Sequence, residues 1–120
     1  MAQARVSFET ALKDAMGGPK SPVVAVVGCQ AEWGALGAAA EMPGVDFGRE
    51  VLLVVSPGTR PDGTHVVEIR EVLDLSAALG APAALVLWEE RHDGPPTEAL
   101  CRPIHVVRAP RGRHYLFARG

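Results

Sequence analysis

The sequence predicts an α+β fold: a mainly antiparallel sheet of five or six strands, one packed helix after the first strand, and a short N-terminal helix. Apolar runs of strand length recur along the chain, each bounded by turn residues. One segment after the first run has helical spacing instead. Connections between the later strands are too short for crossover helices, which favours antiparallel neighbours.

The clearest strand is the uninterrupted apolar run from Val51 to Val55. Because it is too short for a self-standing helix and turn residues follow, we expect a strand buried on both faces that leads into a hairpin. We expect Asp46 to accept backbone N–H bonds at the turn into this strand and Phe47 to pack in the core. Both residues are therefore predicted to be structural anchors.

Two helices are predicted before that strand. The first covers residues 7–19, where Phe8, Leu12 and Met16 recur at helical spacing before a Gly-Gly-Pro stop. The second covers residues 31–42, and Trp33 is predicted to anchor it on the sheet. We accordingly divide the chain into an N-terminal helical arm, residues 1–21, and one main domain, residues 22–120.

The remaining strands follow from shorter apolar runs. The first strand of the main domain is the β-branched run Val23–Val27, which ends at a glycine. Further strands are predicted at residues 64–75, 83–91, 101–107 and 114–119, and a connection of small residues lies at 76–82.

Composition excludes several classes of partner. The 120 residues carry a formal net charge of −2, with a pI near 6.1, so no overall attraction to nucleic acid is expected. Five of the 12 Lys/Arg residues follow residue 100, and we interpret them as the solvated face of an edge strand. No apolar run approaches the ~20 residues of a membrane span, so no membrane insertion is expected. No export signal is visible in the sequence, which by itself leads us to expect a cytoplasmic protein and leaves the localisation open.

Neither a catalytic residue nor a metal or cofactor is predicted. Cys29 and Cys101 are interpreted as two buried thiols. The histidines show none of the close spacings typical of zinc ligands, although Glu89, Glu90 and Asp93 flank His92. A small hydrolase that uses Cys29 or a metal at the His92 cluster stays an alternative.

The turn after the central strand is the predicted contact region. Loops on a rigid sheet commonly carry recognition residues, and this one offers Arg60, Asp62, Thr64 and His65. We predict these four as partner-binding residues. The alternative is that the Pro-Asp-Gly segment serves only to form the turn.

Several blocks of the chain resemble the PrcB C-terminal domain family, named after a protein of a secreted bacterial protease complex. The blocks are Ala31-Glu-Trp33 with Leu36, Pro43-Gly-Val-Asp-Phe47, Val51-Leu-Leu-Val-Val55 followed by Gly58, and Arg102-Pro-Ile-His-Val-Val-Arg-Ala-Pro110. The family usually has Gly-Gly-Tyr in the turn, which this chain lacks. The resemblance implies a non-catalytic domain that associates with or stabilises a protease, in a family whose members are often exported.

The predicted function is thus a non-catalytic protein-binding module with a protein partner, and the family resemblance implies a protease as one candidate for that partner. Exposed loops and an open sheet edge would supply the contacts. A structural domain that forms homodimers through its edge strands is the further alternative.

Overall fold

The computed structural model describes residues 4–95 and 97–120, and these residues form seven strands and two short helices. The elements in chain order are β1 (Glu9–Asp14), β2 (Val23–Val27), α1 (Gln30–Ala35), β3 (Glu50–Ser56), β4 (His65–Asp74), α2 (Ser76–Leu79), β5 (Ala83–His92), β6 (Ile104–Pro110) and β7 (His114–Arg119). Neither described helix is long and apolar enough to cross a membrane.

The strands are divided between two sheets. The four-stranded sheet has the order β1-β6-β3-β2, and all its pairs are antiparallel. The three-stranded sheet has the order β4-β5-β7, with an antiparallel β4-β5 pair and a parallel β5-β7 pair. Residues 4–6 run beside β4 before the chain enters β1, so the N-terminal segment contacts both sheets.

The four-stranded sheet is covered on both faces. One face packs on the three-stranded sheet, and the side chains between them include Leu53, Val55 and Val107. The other face packs against α1 and the segment after it, with Leu52, Val54 and Ile104 inside. This double coverage explains the continuous apolar run of β3, because a strand buried on both faces has no polar positions.

The predicted fold class is wrong. The described residues are mostly β-strand, in two small sheets, where the sequence predicted an α+β fold built on one sheet of five or six strands. The short N-terminal helix is absent from the described part of residues 7–19, where β1 pairs with β6. A helix of about ten residues has little stability by itself, and strand pairing supplies the same backbone hydrogen bonds.

The packed helix after β2 exists but is shorter than predicted. It ends at Ala35, and Gly37 adopts a φ of +73° immediately beyond the helix cap. Glycine populates this left-handed conformation without steric cost, so the helix stops after six residues, which is fewer than two turns.

Two predicted connections are also wrong. The buried strand β3 does not form a hairpin with β4, because the two strands belong to different sheets. The predicted meander fails after β5, where the chain crosses to the four-stranded sheet as β6 and then returns as β7. This detour makes β7 parallel to β5.

Candidate functional site

The turn between β3 and β4 crosses from one sheet to the other and is held by backbone bonds. Gly58 has a φ of +83°, and the Thr59 N–H donates to the Lys20 carbonyl at 3.0 Å. Arg60 and Cys101 exchange both backbone hydrogen bonds, at 2.8 and 3.1 Å. The side chains that follow are therefore presented from a fixed backbone.

A cluster of polar side chains, hereafter the polar cluster, lies where this turn meets the end of β5. Its members are Arg60, Asp62, Thr64, His65, Glu90 and His92. His65 and His92 are directly opposite each other across the antiparallel β4-β5 pair. Glu90 and His92 continue the face of β5 that carries buried Trp88, because alternate residues of a strand share a face.

Glu90 is the buried acid of the polar cluster. Its side chain is only 6% exposed, and Arg60 binds it in a bidentate manner, with Nε and Nη2 at 2.7 and 2.8 Å. Arg119 reaches the same carboxylate at 3.0 Å while its guanidinium lies 5.3 Å from the centre of the Trp88 ring. The hydrogen bonds from Arg60 hold the pKa of the Glu90 carboxyl below its ordinary value. Glu90 is consequently an anion that is matched by two cations.

Asp62 is oriented by Thr64. One carboxylate oxygen, Oδ1, accepts the Thr64 hydroxyl and also the Thr64 backbone N–H at 2.8 Å. Both bonds lower the pKa of the Asp62 carboxyl, and the bond from the Thr64 hydroxyl has the larger effect. The second oxygen, Oδ2, faces Nε2 of His65 at 3.8 Å.

Each histidine of the polar cluster has a hydrogen-bond partner at Nδ1. In His65 this atom lies 2.9 Å from Oε2 of Glu90, and in His92 it lies 3.0 Å from Oγ1 of Thr64. The two ring centres are 4.2 Å apart and the planes are tilted by 54°. One ligand atom from each of Asp62, His65 and His92 lies within 4.8 Å of the other two, which brings together a carboxylate and two imidazoles.

The Cys101 side chain binds the backbone of the turn, and its environment does not favour a nucleophilic thiol. It is buried, and its thiol donates to the Asp62 carbonyl at 2.8 Å. Burial raises the pKa of the Cys101 thiol, so the reactive thiolate is disfavoured.

Cys29 differs from its predicted state. It is exposed, so the prediction of two buried thiols holds for Cys101 alone. Its thiol contacts Glu32 at 3.4 Å, whereas a thiol nucleophile needs a base such as histidine within reach. The two cysteines are both free thiols in this structure.

The structure brings all four predicted partner-binding residues into the polar cluster, where much of their polar surface is used internally. The Arg60 side chain is 31% exposed and the His65 side chain is 13% exposed.

The three predicted structural anchors lie outside the polar cluster. Trp33 is buried under α1 on the outer face of the four-stranded sheet, and Phe47 packs against the same apolar cluster. Asp46 accepts the Gly48 N–H at 3.0 Å in the turn that precedes β3.

The sequence did not predict that four further residues lie beside the turn: Glu90, His92, Cys101 and Arg119. Cys101 and Arg119 carry no local signal, because they meet the cluster only through the path of β6 and β7. A signal did exist for the other two residues. Val86, Trp88, Glu90 and His92 alternate along β5, and the two-residue period continues the buried face directly into the polar cluster.

A second feature is the outer edge of β2. Within the part of the chain that the structure describes, β2 pairs only with β3, and its five residues, VVAVV, include no charge. Val24 is 43% exposed. The other strands at the ends of the two sheets all carry charged side chains, as natural edge strands usually do.

The fold and these sites define an all-β domain of two packed sheets with an ordered polar cluster at one end. The cleft beside His65 measures about 180 Å³, below the ~300 Å³ at which typical small-molecule pockets begin. No family model, curated protein or solved structure matches this chain.

Proposed function

We propose that the protein is a non-catalytic protein-binding module that receives an extended segment of its partner along the open edge of β2. The observation that carries the proposal is the uncharged, apolar edge of this strand. Unprotected edges pair readily with added strands, and main-chain hydrogen bonds then supply affinity.

A partner segment suits this edge better than a second copy of the chain. Pro22 and Gly28 limit β2 to five residues. Self-pairing would join five strand residues of each chain, whereas a standard stable interface has roughly 20–30 residues a side. Short strand additions can nevertheless be specific, because alternate side chains of the added segment enter neighbouring pockets. The resemblance to PrcB C-terminal domains suggests a protease as the class of partner.

The predicted loop contacts form a separate part of the proposal. Arg60, Asp62, Thr64 and His65 would add a polar contact to the partner beyond the edge strand. A triple variant of Arg60, Asp62 and His65 to alanine would then weaken capture of the same partner, while leaving the edge contact in place.

Two lysine variants test the edge contact. Val24→Lys places a charge on the β2 edge, whereas Leu116→Lys is a matched control on β7, where the side chain is 40% exposed. Both positions tolerate a solvated lysine, but only the first charge opposes strand addition at β2. Each variant and the wild-type chain would be immobilised and exposed to lysate, and the retained proteins identified by mass spectrometry.

The expected result is a protein that the wild type and Leu116→Lys retain and Val24→Lys loses. Its addition to the isolated domain should slow hydrogen exchange at the β2 amides. Identical retention by all three chains would contradict the edge contact. Light scattering supplies the other decisive outcome: a wild-type dimer that Val24→Lys converts to a monomer would make a second copy the occupant.

A further inference from the structure

We propose that Asp62, His65 and His92 bind a divalent transition metal of the zinc class. The sequence spacing of these three residues matches none of the recognised zinc motifs, and the sequence analysis kept a metal at His92 only as an alternative, with other neighbours. The fold nevertheless brings one ligand atom of each within 4.8 Å of the others. Two imidazoles and one carboxylate are ligands that suit zinc and its neighbours among the transition metals.

The hydrogen bonds around His65 leave the correct nitrogen available. Its Nδ1 lies 2.9 Å from the Glu90 carboxylate, which Arg60 and Arg119 hold in place. A carboxylate can only accept, so Nδ1 carries a proton, and Nε2 is the nitrogen that has a free lone pair in the neutral imidazole. Nε2 is also the atom that faces Oδ2 of Asp62 at 3.8 Å. Metal-binding histidines are commonly oriented by such a carboxylate at the other nitrogen.

The proton of His92 is also located by its hydrogen bond to Thr64. The Thr64 hydroxyl donates its single hydrogen to Oδ1 of Asp62, so its oxygen accepts from Nδ1 of His92 at 3.0 Å. In the neutral imidazole of His92, the free lone pair is therefore on Nε2. Thr64 thus orients two of the metal ligands, His92 and Asp62. Because it binds Oδ1 of Asp62, the other oxygen, Oδ2, stays available for the metal.

Binding requires only a small closure of the site. Ligand atoms around a tetrahedral zinc ion are about 3.3 Å apart, given bonds of ~2.0–2.1 Å. The observed separations are no more than 4.8 Å, and Nε2 of His65 lies 3.8 Å from Oδ2 of Asp62, so at least one side chain must move inward. His92 is exposed at the end of β5 and has room to do so, whereas the Asp62 backbone is fixed by the Cys101 thiol. Three protein ligands leave one position for water or for a side chain of a partner.

The site is tested with the full chain and Zn²⁺ alone, by competition against a chromophoric chelator at pH 7.5. We expect one ion per chain. His92→Ala and His65→Ala should each weaken binding by more than about 100-fold, and Thr64→Val by roughly 10- to 100-fold as the loss of an orienting partner. Mg²⁺ should not compete, because it prefers oxygen ligands. Circular dichroism of each metal-free variant checks that the fold persists.

Two control variants exclude other sources of binding. His114→Ala removes an exposed histidine outside the polar cluster, and Cys29→Ser removes the exposed thiol. Both should bind Zn²⁺ as the wild type does. The metal site does not rest on the edge contact, so Val24→Lys should also retain the ion. Wild-type binding no tighter than that of a His65→Ala/His92→Ala double variant would overturn the proposal, as would loss of binding in Cys29→Ser.

Discussion

His105 of β6 accepts the backbone N–H of Ile69 of β4 at Nδ1, over 2.8 Å, and so connects the two sheets through one side chain. Its other nitrogen, Nε2, lies 2.9 Å from Oγ1 of Thr10 on β1. Because Nδ1 accepts, Nε2 carries the proton and donates to Thr10. His105 is 3% exposed and lies beside a register shift in β4 between Ile69 and Glu71. A neutral imidazole therefore satisfies a backbone donor at the irregularity in the strand.

Replacing His105 by alanine should lower the free energy of unfolding by about 3 kcal/mol. The variant leaves the Ile69 N–H without its partner and creates a cavity between the sheets. Thr10→Ala is the matched control, because it removes only the partner on the exposed side and should cost less than ~1 kcal/mol. Urea unfolding of both variants measures the difference, and equal losses would argue against the inter-sheet bond.

Stability should fall as the pH is lowered from about 6.5 toward 4. Burial lowers the pKa of His105 from 6.5 to about 4, so between these values the unfolded chain binds a proton that the folded chain does not. The contribution of the neutral imidazole to stability is fully present above pH 6.5, and roughly 3 kcal/mol of it is lost by pH 4. His105→Gln can form similar hydrogen bonds but does not titrate. Its stability should approach that of the wild type as the pH falls, and a constant gap across this range would refute the assignment.

The sequence indicated the buried strands well where their pattern is local. The Val51–Val55 run is confirmed as part of β3, and the whole of β2 was predicted. The prediction was wrong at β1, because Phe8, Leu12 and Met16 fit a helical period and the partner strand β6 follows about ninety residues later in the chain.

The sequence predicted only part of the polar cluster. Four members are close in sequence in the turn. The two-residue period of β5 places Glu90 and His92 on its buried face, but only the β4-β5 pairing brings them to the turn.

Glu90 should contribute more to stability than its neighbour Glu89. Glu90→Ala removes the acceptor of two arginines and His65 from a nearly buried position, so we expect a loss of about 2–3 kcal/mol. Glu89→Ala removes only the exposed ion pairs to Arg70 and Arg91 and should cost less than ~1 kcal/mol. Thermal unfolding at pH 7 compares the two, and a reversed order would show that the polar cluster does not stabilise this end of the sheets.

Two glycines should respond in opposite directions to alanine. At Gly58, with a φ of +83°, a Cβ atom would lie 2.8 Å from the Lys20 carbonyl oxygen, which is backbone and cannot move aside freely. We expect Gly58→Ala to destabilise the protein by roughly 2 kcal/mol or more. Gly34 lies in α1 with no atom within 4 Å of its added Cβ, so Gly34→Ala should stabilise by about 0.5–1 kcal/mol. Chemical denaturation measures both, and a stable Gly58→Ala would contradict the tight approach of this turn to residues 20–22.

The assignment of the polar cluster as a metal site is tested most directly by nuclear magnetic resonance of the imidazole nitrogens in ¹⁵N-labelled protein. Addition of one equivalent of Zn²⁺ should shift Nε2 of His65 and of His92, while their Nδ1 atoms stay protonated. The ring nitrogens of His105 and His114 should not change. Unchanged spectra of His65 and His92 at saturating Zn²⁺ would contradict the account.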